Sequence, residues 1–254
     1  QVDEREANKK YIHPKQFAGK VSFNKVNFTY PGEDRRVLKD LSFEVNVGEH
    51  LAILGPVGSG KTSILKLLLK LYDVDSGEIR VDDVAINQID PIDLRKNISY
   101  VNQSPTLFYG TLRDNIICSK PLATDEEILS VSKMSGLSTF INNHPQGFDI
   151  NVGEGGERLS HGQRQSVAIA RALLSDSQFV LLDEPTSAID NAIEGILKKS
   201  LATFTKGKTV ILVTHRKSLL DLVEKVLIVS NGNLVNFGPK DQILNGSQNR
   251  SEDA

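Results

Sequence analysis

The 254-residue sequence has no tryptophan, one methionine and one cysteine, and aromatic residues make up only 6% of it. The lone Cys118 cannot close a disulfide within the chain, so a reducing compartment fits. Neither sign of charge is in excess: 30 basic and 32 acidic residues leave a formal net charge of -2. That balance gives no global pull towards nucleic acid or an anionic membrane surface. No apolar run approaches the roughly 20 residues that cross a bilayer. The richest runs, such as 179–182, have only strand length. The opening residues QVDEREANKK contain no apolar signal-peptide core. What remains is a globular protein of ordinary composition, with 39% hydrophobic and 24% charged residues. The length suits one large domain or two small ones.

Glycine is not scarce, and the placement of the 19 glycines matters more than their number. Residues 1–20 are polar, without regular apolar spacing, and read as a tail or linker. Val21, Phe23, Val26 and Phe28 predict a strand, with a bulge at Asn24–Lys25. After the Tyr30-Pro31-Gly32 turn and a charged loop at 33–36, alternation over 41–47 predicts a second strand. Leu51–Leu54 is apolar on both faces, as a buried parallel strand must be. Ile64, Leu65, Leu68 and Leu71 place a helix over 61–71. Short strands near 78–81 and 84–86 follow, then a helix start at Pro91 and a strand at 98–101. Residues 111–175 read as helices, broken by a glycine-rich stretch at 145–160. Strands return at 178–183, 208–213 and 225–229, with a helix near 191–203 and a hairpin signal at Asn231-Gly232. This order predicts an α/β core with an inserted helical subdomain.

Gly55-Pro56-Val57-Gly58-Ser59-Gly60-Lys61-Thr62 fits GxxxxGK[ST] at every fixed position, between a buried strand and a helix. Glycines allow backbone N–H groups to turn inward around phosphate oxygens, and the following helix presents its positive end to the same anion. Lys61 is expected to reach the terminal phosphates, and the Thr62 hydroxyl to ligate Mg²⁺. Ser63 adjoins them as a further expected nucleotide contact.

Phe179–Leu182 ends in Asp183 and Glu184, at the end of a strand expected beside the phosphate loop. There one acid, Asp183, can hold Mg²⁺ through water, while its neighbour Glu184 polarises the attacking water. Val210–Thr214 similarly delivers His215 towards a γ-phosphate. Gln103, just after the strand at 98–101, is a candidate for either Mg²⁺ or the attacking water.

Leu159-Ser160-His161-Gly162-Gln163-Arg164-Gln165, opening a helical run ahead of Asp183, resembles the LSGGQ signature of ATP-binding-cassette (ABC) proteins. The other motifs fall in the family's order. Tyr30 lies where the adenine-stacking aromatic does, Gln103 matches the Q-loop glutamine, Ser187–Asp190 the D-loop and His215 the switch histidine. The resemblance covers about 21–245. It implies a P-loop NTPase with a RecA-like parallel core and an antiparallel β subdomain, spanning 21–246, and an inserted helical signature subdomain at about 104–172. A linker at 1–20 and a flexible tail at 247–254 would flank it. It further implies ATP and Mg²⁺ as ligands and a head-to-tail homodimer. In that dimer Ser160, Gly162 and Gln163 of one copy face the γ-phosphate held by Lys61 of the other. His161 departs from the family's usual glycine; were that backbone position to need a positive φ, the histidine would cost roughly 1 kcal/mol or more.

Residues 107–116 and 152–158 resemble exporter segments, the second being the one that contacts the membrane domain in exporters. Residues 89–95, 185–188 and 215–223 look like type I secretion ATPases. That branch implies a membrane domain on the same polypeptide at the cytoplasmic face of a bacterial inner membrane, with a periplasmic adaptor and an outer-membrane channel. Another exporter of lipid, peptide or drug is the alternative. A soluble ATP-gated clamp acting on nucleic acid is disfavoured by the charge balance and by the lack of a coiled-coil insertion.

Overall fold

The computed structural model describes residues 9–248. Residues 1–8 of the expected linker and 249–254 of the expected tail lie outside the described residues. Six strands form the larger sheet in the order β10-β9-β3-β8-β7-β6, with β3 (His50–Leu54), β6 (Ile98–Val101), β7 (Phe179–Asp183), β8 (Thr209–Val213) and β9 (Lys225–Ser230) mutually parallel. Only β10 (Asn233–Pro239) runs against them. It is joined to β9 through the Asn231-Gly232 turn, where both residues have positive φ, 49° and 81°.

The apolar runs are unbroken because this sheet is covered on both sides. Leu51 and Ile53 of β3 join one core cluster while Ala52 joins the other, and Leu181 and Leu182 of β7 divide the same way. One cluster contains Ile64, Leu65 and Leu68 of α1 (Lys61–Leu68), together with the smaller antiparallel sheet. That sheet is ordered β2-β1-β4-β5, from β1 (Val21–Thr29), β2 (Arg36–Val45), β4 (Ser76–Val81) and β5 (Val84–Ala85). The bulge expected in β1 appears as a register shift between Phe23 and Val26, with Lys25 at φ 47°. β2 begins at Arg36, where the sequence suggested the end of a loop, because Arg36 pairs with Thr29.

Asp90 caps α2 (Pro91–Lys96). The other cluster packs α3 (Leu112–Ile117), α4 (Asp125–Met134), α5 (Ser138–Asn143), α6 (His161–Ser175) and α7 (Asn191–Phe204) onto the opposite face. A closing helix, α8 (Lys240–Gln248), takes in the first residues of the expected tail. Thr111 and Thr124 cap α3 and α4 with reciprocal capping boxes. No helix among the described residues is long and apolar enough to cross a membrane.

The segment 9–20, expected as a polar tail or linker, is docked on this body. Phe17 is 4% exposed, and Ile12 bridges Ile89 in parallel. The amides of Ala18, Gly19 and Lys20 all donate to the Asp82 carboxylate, at 2.7, 3.0 and 2.8 Å. Asp82 carries the anchoring; its own left-handed conformation, φ 49°, belongs to the turn between β4 and β5.

Candidate active site

Parallel strands point their carboxyl ends to one edge, so residues from distant segments converge there. Ile53, Val213 and Asp183 form a row across β3, β8 and β7. Just past that row lie the phosphate loop, His215 and Glu184, and Gln103 follows the end of the neighbouring β6. A single cleft gathers Tyr30, Gly58, Gly60, Lys61, Thr62, Ser63, Gln103, Asp183, Glu184 and His215. Apart from Ser63 and the phosphate-loop residues, Tyr30, Gln103 and His215 follow three different strands, while Asp183 and Glu184 come together from the end of β7.

The phosphate loop is shaped by close backbone approach. Gly55 has φ 150°, and a Cβ there would lie 2.0 Å from the Val229 carbonyl oxygen. Gly60, at φ 105°, starts α1 with no side-chain cap, which leaves first-turn amides for an anion. The β9–β10 turn braces the loop, since Gly232 N–H donates to Ser59 O at 3.2 Å. Pro56 and Val57 lie exposed at its tip. Lys61 is 7% exposed, and its ammonium donates to the carbonyls of Gly55 and Pro56 at 2.8 and 2.9 Å. Burial holds its pKa below the ordinary lysine value, against the pull of Glu184 and Asp183. A cation this buried is poised for phosphate oxygens.

The residues present fit a divalent cation. Asp183 is fully buried, and the Thr62 hydroxyl donates to its Oδ1 at 3.3 Å, while Oδ2 has no hydrogen-bond partner among the described residues. Burial raises the Asp183 pKa, partly offset by the Thr62 hydrogen bond. Oxygen donors of this kind, a hydroxyl and a carboxylate with a lone pair to spare, suit Mg²⁺. Exposed Gln103 lies on the same cleft.

Next to Asp183, Glu184 leaves the strand in a left-handed conformation, φ 49°, with its N–H on Val213 O at 2.9 Å. That turn carries its carboxylate to His215, whose Nε2 is 3.0 Å from Oε1. Tyr30 forms the aromatic wall, edge-on to Tyr72 with ring centroids 5.0 Å apart, and its hydroxyl is 2.9 Å from Ser63 Oγ. Sequence reasoning missed Arg35, Arg36, Val37 and Asn231, which line the cleft as well. The paired cations after the Pro31-Gly32 turn were the available signal.

The signature residues do not join this cleft. Ser160, Gly162 and Gln163 line a second one with Ala188, Ile189 and Asp190. Ser160 caps α6 and accepts from Gln163 N at 3.2 Å, while the Gln163 side chain accepts from Ser160 N at 2.8 Å. The Ser160 hydroxyl hydrogen stays available to donate. A Cβ on Gly162 would meet the Ala188 carbonyl oxygen at 2.9 Å, so glycine is what lets the signature helix touch the 187–190 loop. His161 sits exposed at the first helical position and is absent from the positive-φ residues, so the anticipated strain does not arise.

A family model described as ABC transporter matches residues 38–187. The chain belongs to the ABC transporter family. As an ABC ATP-binding domain it is 40% identical over 238 residues to an ATP-dependent lipid A-core flippase of Colwellia psychrerythraea, covering 89% of this chain and 40% of that protein. It is 37% identical over 226 residues to a candidate multidrug export ATP-binding/permease protein of Staphylococcus aureus, covering 89% of this chain and 39% of the other. The structure of a bacterial Atm1-family ABC exporter with ATP bound superposes with a TM-score of 0.88 at 32% identity, over 97% of this chain and 43% of that one. The chain thus spans about two fifths of the length of these relatives. The P-loop NTPase fold and membership of the ABC ATPases follow from these matches.

Proposed function

We propose that this chain is the ATP-hydrolysing domain of an ABC exporter and works as a head-to-tail pair around two Mg-ATP. The observation that carries this reading is the separation of two half-sites on one chain. Lys61, Thr62, Asp183, Glu184 and His215 share one cleft, and Ser160, Gly162 and Gln163 line another. A γ-phosphate bound at Lys61 would need a second copy to bring a signature helix to it, which makes closure depend on ATP.

Within a closed site each residue has a distinct task. Lys61 neutralises charge on the terminal phosphates, and Tyr30 stacks on the base. Thr62 and Asp183, with Gln103 on the same cleft, would hold Mg²⁺, which would supply further charge neutralisation at the phosphates. Glu184 orients the attacking water and takes up its proton. His215, within hydrogen-bond distance of Glu184, holds that carboxylate and meets the γ-phosphate. The partner copy's Ser160 hydroxyl and α6 start complete the anion site.

Coupling to a membrane domain is proposed through the loop 106–111. Phe108 and Tyr109 stand 66% and 76% exposed there. Their backbone is held from below, with Asn115 bonded both ways to Phe108 and Arg171 reaching Asn115 and Thr106. Between the two branch readings, the lipid and drug exporters among the relatives favour export of a lipid or drug-like amphiphile across a bacterial inner membrane. Type I protein secretion, with its adaptor and outer-membrane channel, rests on short motifs alone.

The test is Glu184→Gln. It should retain ATP binding, lose turnover and accumulate an ATP-dependent dimer in light scattering. Retained turnover would remove Glu184 from its role, and a monomer at saturating ATP would remove the paired site.

A further inference from the structure

Gln165 is a buried amide to which the proposed chemistry gives no part. It lies on α6, five residues beyond Ser160, and is 0% exposed. Its Nε2 donates to the carbonyl oxygen of Asn102 at 3.2 Å, while its Oε1 is buried without a hydrogen-bond partner among the described residues. The orientation of the amide is settled by this bond, because the reverse would set two acceptors against each other. Asn102 precedes Gln103, so the carbonyl that accepts from Gln165 and the N–H of Gln103 belong to one rigid peptide plane. A helix is stiff over five residues. A shift of the α6 start at Ser160 therefore reaches Gln165, and from there the peptide that aims Gln103 into the ATP cleft.

The unpartnered Oε1 adds a second point. A buried acceptor left unpaired is unfavourable, so this position is not explained by stability alone. Met, of similar length and without polar atoms, would fill the same space without that penalty. An amide here instead offers one bond now and an acceptor for a second arrangement, as a two-state element requires.

We propose that Gln165 is a positioning residue that ties the signature helix to the Gln103 loop, so that engagement of Ser160 with the partner's nucleotide and placement of Gln103 at its own are one movement. This inference rests on the paired-site reading above.

The experiment compares Gln165→Met with the unsubstituted chain in steady-state ATPase, thermal melting and ATP-dependent dimerisation, the last also in the Glu184→Gln background. Expected are a Tm equal to or above that of the parent, a KM for ATP within about twofold, a kcat lowered about tenfold or more, and weaker dimer trapping. Gln165→Asn, which keeps the amide but is one methylene too short to reach Asn102, should show the same loss of kcat. It carries the comparison if Gln165→Met does not fold. An unchanged kcat, or a kcat that falls only in step with Tm in both variants, overturns the proposal. Failure of the parent chain to hydrolyse ATP, or of Glu184→Gln to dimerise, would instead count against the paired-site reading, so the two failures are distinguishable.

Discussion

His215 Nε2 lies 3.0 Å from Glu184 Oε1, across the ends of two neighbouring parallel strands. The Glu184 side chain is 11% exposed and that of His215 48%, so the histidine is the member that faces solvent and an incoming nucleotide. His215→Ala should leave ATP binding within a few-fold and reduce kcat roughly 10²–10³-fold, as loss of one preorganised group that stabilises developing charge does. Nucleotide titration beside steady-state ATPase separates the two quantities. Weaker binding with kcat unchanged would show that His215 contributes to nucleotide binding alone.

Lys61→Met removes a buried cation and its bonds to two phosphate-loop carbonyls. ATP affinity should fall at least tenfold. Thermal stability should move little, since the lost hydrogen bonds, each worth about 1 kcal/mol, are offset by relief of a buried charge. Fluorescent-nucleotide binding and melting curves check both.

Asp183→Asn tests the buried carboxylate through pH. The folded-state pKa of Asp183 is raised above 3.8, so its proton is bound more tightly when folded, and stability falls as pH rises through the folded value. Asparagine lacks that titration. The variant should melt above the parent near pH 7, and the difference should shrink as pH falls towards 3.8. A kilocalorie of relief corresponds to roughly 2–4 °C in a domain of this size. Added Mg²⁺ should stabilise the ATP-bound parent but not the variant.

His161→Gly is expected to leave kcat within twofold, because His161 is exposed at the first helical position and no positive φ has to be relieved. Stability should drop by a few tenths to about 1 kcal/mol for glycine in a helix. A collapse of ATPase to background would instead give the imidazole a direct part in hydrolysis.

Gly162→Ala should be costlier than that neighbouring change. Its Cβ would press on the Ala188 carbonyl oxygen at 2.9 Å and drive the 187–190 loop from the signature helix. A tenfold or greater loss of ATPase with a small change in Tm is expected.

Much of this site was legible in the chain because its signals are local. The phosphate-loop spacing, the strands leading to Asp183 and His215, and the Asn231-Gly232 turn each occupy a few consecutive residues. What could not be read depends on partners far apart in sequence. Arg35, Arg36 and Asn231 reach the nucleotide cleft only because β2 and the β9–β10 turn pack against the phosphate loop. The contact between Gly162 and Ala188, the left-handed turn at Glu184 and the bond from Gln165 to Asn102 likewise follow from tertiary packing. Composition misled most at 9–20, where a polar stretch hides Phe17, one apolar anchor that the body buries.

The docking of that stretch bears on how the protein can be handled. A fragment trimmed to begin at its first strand, Val21, would uncover the groove now filled by Phe17 and strip three amide donors from Asp82. Such a fragment should express poorly and be nicked readily by proteases, whereas one that starts before Ile12 keeps its seam closed. The working edge of this domain lies upstream of its first regular element.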